Sequence, residues 1–197
     1  MHVFLGITGA SGGPYAARLL ASLAAADCEV GVCASDAGVE VLATELYRDA
    51  YLLRDKVLAR LTEGLGDAVT VHDVRDWKAP YASGSARVDA YVVCPCSMGT
   101  LGTVAAGAMA NLIQRAVSVA LKEGRKLVLV PRETPLSSIH LENMLRLRNA
   151  GATVLFAAPG FYHGWDHAEQ LVDFVVARCL DQLGVEHALA PRWGQGS

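Results

Sequence analysis

Short apolar runs alternate along this chain with stretches whose apolar residues recur at helical spacing. Residues 2–8, 29–34, 90–95, 126–130 and 153–157 read as strands, and 68–71 as a shorter one. Helical patterns cover 15–26, 37–46, 52–61, 98–106, 112–123, 135–150 and 167–183. Thr134 is the expected N-cap of the helix over 135–150, with Pro135 at its first helical position. The strands are apolar on both faces, which predicts a parallel sheet covered by helices on both sides. In such sheets ligands gather at the carboxyl ends of the strands, where the chain order reverses. The polar clusters of this sequence follow its strands, so they are expected along one edge of the sheet.

This pattern predicts a doubly wound α/β fold, Rossmann-like or flavodoxin-like, in a single domain spanning residues 1–197. Composition agrees. The 197 residues are 52% hydrophobic and only 19% charged, which excludes disorder as the main state. A formal charge of -3 and the absence of a basic stripe argue against a nucleic-acid partner. So few charges beside so much apolar surface suggest burial against other subunits. Five cysteines, an odd number in mostly apolar segments, point to a reducing, cytoplasmic setting. Cys94-Pro95-Cys96 lacks the spacing and the second pair of a zinc site. His163 and His167 fall in a loop pattern, so no metal is expected. The N-terminus has no basic leader, and no secretory signal is expected. The uncharged stretch 90–114 is broken by Pro95, Ser97, Gly99, Gly102 and Gly107, which favours strand-turn-helix over a membrane span.

Four clusters carry candidate chemistry. The first is Gly6-Ile7-Thr8-Gly9-Ala10-Ser11-Gly12-Gly13, between the first strand and first helix. It suits either an anion cradle at a helix N-terminus or a tight turn, and it lacks the lysine of a P-loop. The second is Cys94-Pro95-Cys96-Ser97-Met98-Gly99-Thr100, whose hydroxyls could hold an oxygen-rich group or simply cap a helix. The third is Pro131-Arg132-Glu133-Thr134-Pro135, where Arg132 suits phosphate and Glu133 suits proton transfer. The fourth is a scatter of helix cations: Arg115, Lys122 and Arg178. No acidic cluster for a magnesium diphosphate and no G-x-S-x-G elbow are present.

Together these stretches resemble the UbiX-type flavin prenyltransferases, within a wider family of homo-oligomeric flavoproteins that includes cysteine decarboxylases. The resemblance spans nearly the whole chain. It rests on GITGASG at 6–12, ASGS at 82–85, PCSMGT at 95–100, LKE at 121–123, VPRETPL at 130–136 and FYH at 161–163. It implies transfer of a dimethylallyl group from dimethylallyl phosphate to reduced FMN, without metal. The prenylated FMN so formed would serve a partner UbiD-type decarboxylase.

Residue by residue, the resemblance assigns Gly9, Ala10, Ser11, Ser35, Ser97, Met98, Gly99, Thr100 and Arg132 to the flavin. It assigns Ser83, Gly84, Arg115, Lys122, Arg132, Glu133, Tyr162 and Arg178 to the donor, with Trp77 and Trp193 as aromatic walls. Glu133, Glu45 and Lys122 become the catalytic candidates. It also implies a homo-oligomer, a dodecamer in the family's common pattern, with sites at subunit boundaries and the tail from about 184 to 197 packed on a neighbour. Two other readings stay open. One is an FMN-dependent decarboxylase of the cysteine-decarboxylase type, whose catalytic histidine would fall where this chain has ASGS. The other is a flavin carrier without chemistry.

Overall fold

The computed structural model describes residues 1–161 and 166–190. Six parallel strands form one sheet in the order β3-β2-β1-β4-β5-β6. In chain order the elements are β1 (His2–Ile7), α1 (Gly13–Ala25), β2 (Glu29–Ala34), α2 (Asp36–Tyr47), α3 (Arg54–Leu61) and β3 (Val69–His72). There follow β4 (Ala90–Cys96), α4 (Met98–Ala105), α5 (Leu112–Lys122), β5 (Lys126–Pro131), α6 (Ser138–Asn149), β6 (Thr153–Val154) and α7 (Ala168–Leu183). The doubly wound, flavodoxin-like architecture expected from the sequence is the one observed.

The reason lies in the two-residue period of the central strands. Val3, Leu5 and Ile7 of β1 face one apolar core with Leu19 and Leu23 of α1, Leu42 of α2 and Leu180 of α7. Phe4 faces a second core, with Leu101 of α4, Ile113 and Val117 of α5 and Leu147 of α6. A strand buried on both sides can hold no polar alternation, so β1, β4 and β5 are apolar throughout their interiors. The chain winds outward from β1 to β3, then returns to β4 on the other side of β1. That reversal opens a crevice between the carboxyl ends of β1 and β4.

The start of α6 and the end of β6 differ from the sequence reading. The helix α6 starts at Ser138, not at 135, because Ser137 is the working cap: its Oγ accepts from the His140 N–H at 3.2 Å. Thr134 is not a cap; its own N–H donates to the Glu133 carboxylate at 3.0 Å. The last strand stops at Val154, although Leu155 and Ala157 still donate to Leu129 and Pro131. The segment 82–85 follows a 3-10 turn at Pro80–Ala82 and leads back to β4.

Candidate active site at the carboxyl edge of the sheet

Thr8 directly follows β1 and stitches the first two clusters together. It is buried, and its backbone N–H and its hydroxyl both donate to the Pro95 carbonyl, at 3.1 and 3.0 Å. The same hydroxyl oxygen accepts from the Ser97 N–H at 2.8 Å. Buried bonds of this kind contribute about 1 kcal/mol each and are expensive to leave unmade. The turns after β1 and β4 are therefore one rigid unit.

Gly9 brings the turn after β1 against α2. A Cβ at Gly9 would lie 2.5 Å from the Ala37 Cβ, so only glycine fits. Ser35 sits beside it, with its N–H donating to Ile7 O at 2.9 Å and its Oγ capping α2 through the Gly38 N–H at 3.0 Å. Ser97 plays the same part on α4, accepting from Thr100 N at 3.2 Å and donating to Thr100 Oγ1 at 3.1 Å. Gly99 is in the first turn of α4 with open space at its missing side chain. Ser11 is exposed, and the Arg132 Nε–H donates to its carbonyl at 3.3 Å. Thus Gly9, Ala10, Ser11, Ser35, Ser97, Met98, Gly99, Thr100 and Arg132 fall on one edge, around the crevice where the strand order reverses.

Glu45 has a defined task. Its Oε2 accepts from the N–H groups of Gly12 and Gly13, at 2.9 and 2.7 Å. These are the first amides of α1, where a negative charge is favoured. The anion at this helix start is therefore the protein's own carboxylate, and the cradle expected at the α1 N-terminus is narrowed to Gly9, Ala10 and Ser11. Glu133 follows Arg132 in the turn between β5 and α6.

The donor-side candidates divide within one chain. Ser83 and Gly84 lie at the amino edge, with the C-terminal end of α5. Arg115 donates to the Ala82 carbonyl at 2.9 Å, and Lys122 forms an ion pair with Glu123, whose carboxyl it holds below the usual carboxylate range. Lys122 precedes β5 and Arg132 follows it. A strand that long separates them by about 20 Å at roughly 3.3 Å per residue. Arg178 lies elsewhere again, on α7 beside a cleft lined by β6, with its Nη1 donating to Asp181 at 2.6 Å. Trp77 is exposed in the segment between β3 and β4. Tyr162 and Trp193 lie outside the described residues. A single chain thus assembles the flavin-side set and leaves the donor-side cations at separate places.

A family profile described as Flavoprotein matches residues 1–180. Flavin prenyltransferase UbiX of Pseudomonas aeruginosa is 53% identical over 197 residues, covering 98% of this chain and 94% of that protein. The chain belongs to the UbiX-type flavin prenyltransferases of the flavoprotein family. The crystal structure of AnUbiX (PadA1) in complex with FMN and dimethylallyl pyrophosphate matches this UbiX-type fold with a TM-score of 0.87 at 37% identity. That match covers 100% of this chain and 98% of the other. A dodecameric FMN-dependent UbiX-like decarboxylase from Escherichia coli O157:H7 matches over the whole of both chains, with a TM-score of 0.84 at 42% identity.

One residue of this UbiX-type edge, Tyr15, belongs to none of the clusters marked in the sequence. Thr8 stands in the first cluster, but its bonds to Pro95 and Ser97 are visible only in the fold. Tyr15 packs its ring against Gly12 and lies near Arg132, Glu45 and Cys94. Burial pushes its phenol above the ordinary tyrosine value; Cys94 and Glu45 add to the rise and Arg132 opposes it. Its position in the first turn of α1, directly after the glycine turn, was the available sign.

Proposed function

We propose that this chain joins a dimethylallyl group from dimethylallyl phosphate to reduced FMN. The observation that carries the reading is the carboxyl-edge crevice, where hydroxyls, backbone amides and Arg132 converge on the scaffold that holds FMN in AnUbiX. The residues present fit FMN. The buried Thr8 bonds lock the turns that present Ser11, Ser35, Ser97 and Thr100, and Gly99 leaves open space at the start of α4. Reduced FMN bound there supplies the electron-rich ring that accepts the dimethylallyl group.

The chain's own residues divide the remaining work. Breaking an allylic carbon–oxygen bond leaves negative charge on the departing phosphate, and fixed cations stabilise it without a metal. Arg132 supplies one from the carboxyl edge; Arg115, Lys122, Arg178 and the Ser83-Gly84 turn supply the rest of the donor site, with Tyr162. Trp77 and Trp193 exclude water from the allylic carbon. Glu133 holds and moves a proton. Glu45, its oxygen taken by two amides of α1, positions the 9–12 turn.

The distance between Lys122 and Arg132 makes the site a joint product of neighbouring copies. A homo-oligomer, assembled as a dodecamer like the E. coli relative, brings the amino edge of one copy to the carboxyl edge of the next. The expected tail contact is corrected in part: Val185 is buried in this chain's own core, Leu189 packs against it and His187 bonds Asp181 at 3.1 Å, while residues 191–197 lie outside the described residues. Five unpaired, buried cysteines support a cytoplasmic setting, and no described helix is long and apolar enough to cross a membrane. The product, prenylated FMN, serves a UbiD-type decarboxylase. The test is mass spectrometry of the flavin after anaerobic incubation of the protein with reduced FMN and dimethylallyl phosphate. A flavin heavier by one prenyl unit supports the reading; unmodified FMN with the donor untouched would refute it.

A further inference from the structure

Arg125 stands between α5 and β5 and belongs to none of the clusters recognised in the sequence. Its guanidinium makes two directed bonds: Nη1 donates to the Tyr91 hydroxyl at 3.0 Å and Nη2 to the Gly84 carbonyl at 2.6 Å. Tyr91 is wholly buried in β4, so one arm of the fork is fixed from inside the protein. Burial raises the Tyr91 phenol above its ordinary value, and the bond from Arg125 opposes that rise. The other arm fixes the 82–85 turn. From the far side, Arg115 takes the Ala82 carbonyl.

The carbonyl of Gly84 and the N–H of Ser85 share one planar trans peptide, so they point in opposite directions. Holding the carbonyl on Arg125 turns the Ser85 N–H the other way, where it donates to Ser83 Oγ at 3.3 Å. Ser83 Oγ in turn lies 2.9 Å from Ser85 Oγ, and both serines are exposed. A Cβ at Gly84 would sit 2.1 Å from Glu123 Oε1 and 2.7 Å from Lys122 Nζ, so the turn also lies directly against the Lys122–Glu123 pair. The result is a turn with two of its carbonyls bound to guanidinium groups and its hydroxyls displayed together beside the Lys122–Glu123 pair. An anion needs that polarity: donors outward, carbonyl oxygens away.

We propose that Arg125 is a positioning residue for the donor phosphate, acting through the Gly84 carbonyl, with Tyr91 as the brace that aims its guanidinium. The role rests on the proposed reading that 82–85 receives that phosphate. It is distinct from charge attraction, because Arg125 spends its directed bonds on the turn and on Tyr91.

The test is steady-state kinetics with reduced FMN and dimethylallyl phosphate for Arg125→Met, Arg125→Lys and Tyr91→Phe, beside Ser83→Ala and Lys122→Met. Arg125→Met is expected to raise the donor KM about tenfold while kcat changes less than about threefold, the size expected for one lost charge-assisted bond. FMN affinity and oligomer size stay as in the parent protein. Tyr91→Phe raises the donor KM by about threefold, as one neutral-partner bond would. Guanidinium ion added to Arg125→Ala restores part of the donor affinity and does nothing for Ser83→Ala. An unchanged donor KM in a folded Arg125→Met protein overturns the proposal. If that variant fails to assemble, unchanged KM in both Arg125→Lys and Tyr91→Phe overturns it instead. If Ser83→Ala and Lys122→Met raise KM and the Arg125 variants do not, only the positioning role falls; if none of them does, the donor-site reading falls with it.

Discussion

Glu45 shows how much one side chain can decide. Its carboxylate takes two amide protons at the start of α1, each a charge-assisted bond. Glu45→Ala should therefore lower FMN affinity about tenfold and reduce the melting temperature by several degrees, since losing such a bond costs about 1.5–3 kcal/mol. Flavin fluorescence titration and a thermal melt would check both, and an unchanged affinity would remove Glu45 from the turn's support. The cysteines make the opposite point about reactivity. All five are buried, and burial pushes Cys33, Cys96 and Cys179 up to about 12, with Cys94 raised as well. The thiolate is the reactive form, so the folded protein should resist alkylation at pH 8 and label at five sites only in denaturant. The sign also fixes a pH trend. A thiol whose pKa rises on folding contributes stability that is present below its unfolded value near 9.0 and lost as pH climbs towards 12.

At the scale of elements, the turns matter more than the helices and strands they join. α6 begins where a Ser137–His140 capping box closes, which leaves Arg132 and Glu133 in a free-standing turn after β5. Ser137→Ala should cost about 1 kcal/mol, the usual worth of such a cap, with a melting temperature lower by a few degrees. Flavin binding should be unaffected, which calorimetry and titration together can separate. Thr134 and Pro135 satisfied every local rule for a helix start, as did Ser137. The local rules do not rank competing caps; the bond from Ser137 does.

At the scale of the whole molecule, α6 turns Leu141 and Leu145, four residues apart on one face, outward, 52% and 61% exposed. In the proposed homo-oligomer this face is the one expected to be covered by a neighbouring copy. Leu141→Glu with Leu145→Glu should shift the particle to smaller assemblies in sedimentation velocity and suppress turnover with it. Shared sites also predict complementation. At donor concentrations well below KM, Lys122→Met and Arg132→Met should each retain little of the parental rate alone. Mixed oligomers from co-expression should recover up to about a quarter of the parental rate, since random assembly pairs one intact copy of each edge that often. No recovery in verified mixed oligomers would place both residues in the same copy's site.

The amino-acid sequence by itself determined the layered α/β fold, because strands buried on two faces need unbroken apolar runs and helices need one apolar stripe. It also marked the turns after β1, β4 and β5, because glycine, hydroxyl and arginine residues interrupt those runs abruptly. The tertiary structure alone decided what the marked residues do. Nothing local says that Glu45 reaches Gly12 and Gly13, that Thr8 ties Pro95 to Ser97, or that Arg125 grips Gly84, since each partnership spans 30 to 90 residues of chain. Only the winding order of the strands puts Lys122 and Arg132 at opposite edges: a helix must run back across the sheet before the next parallel strand can begin.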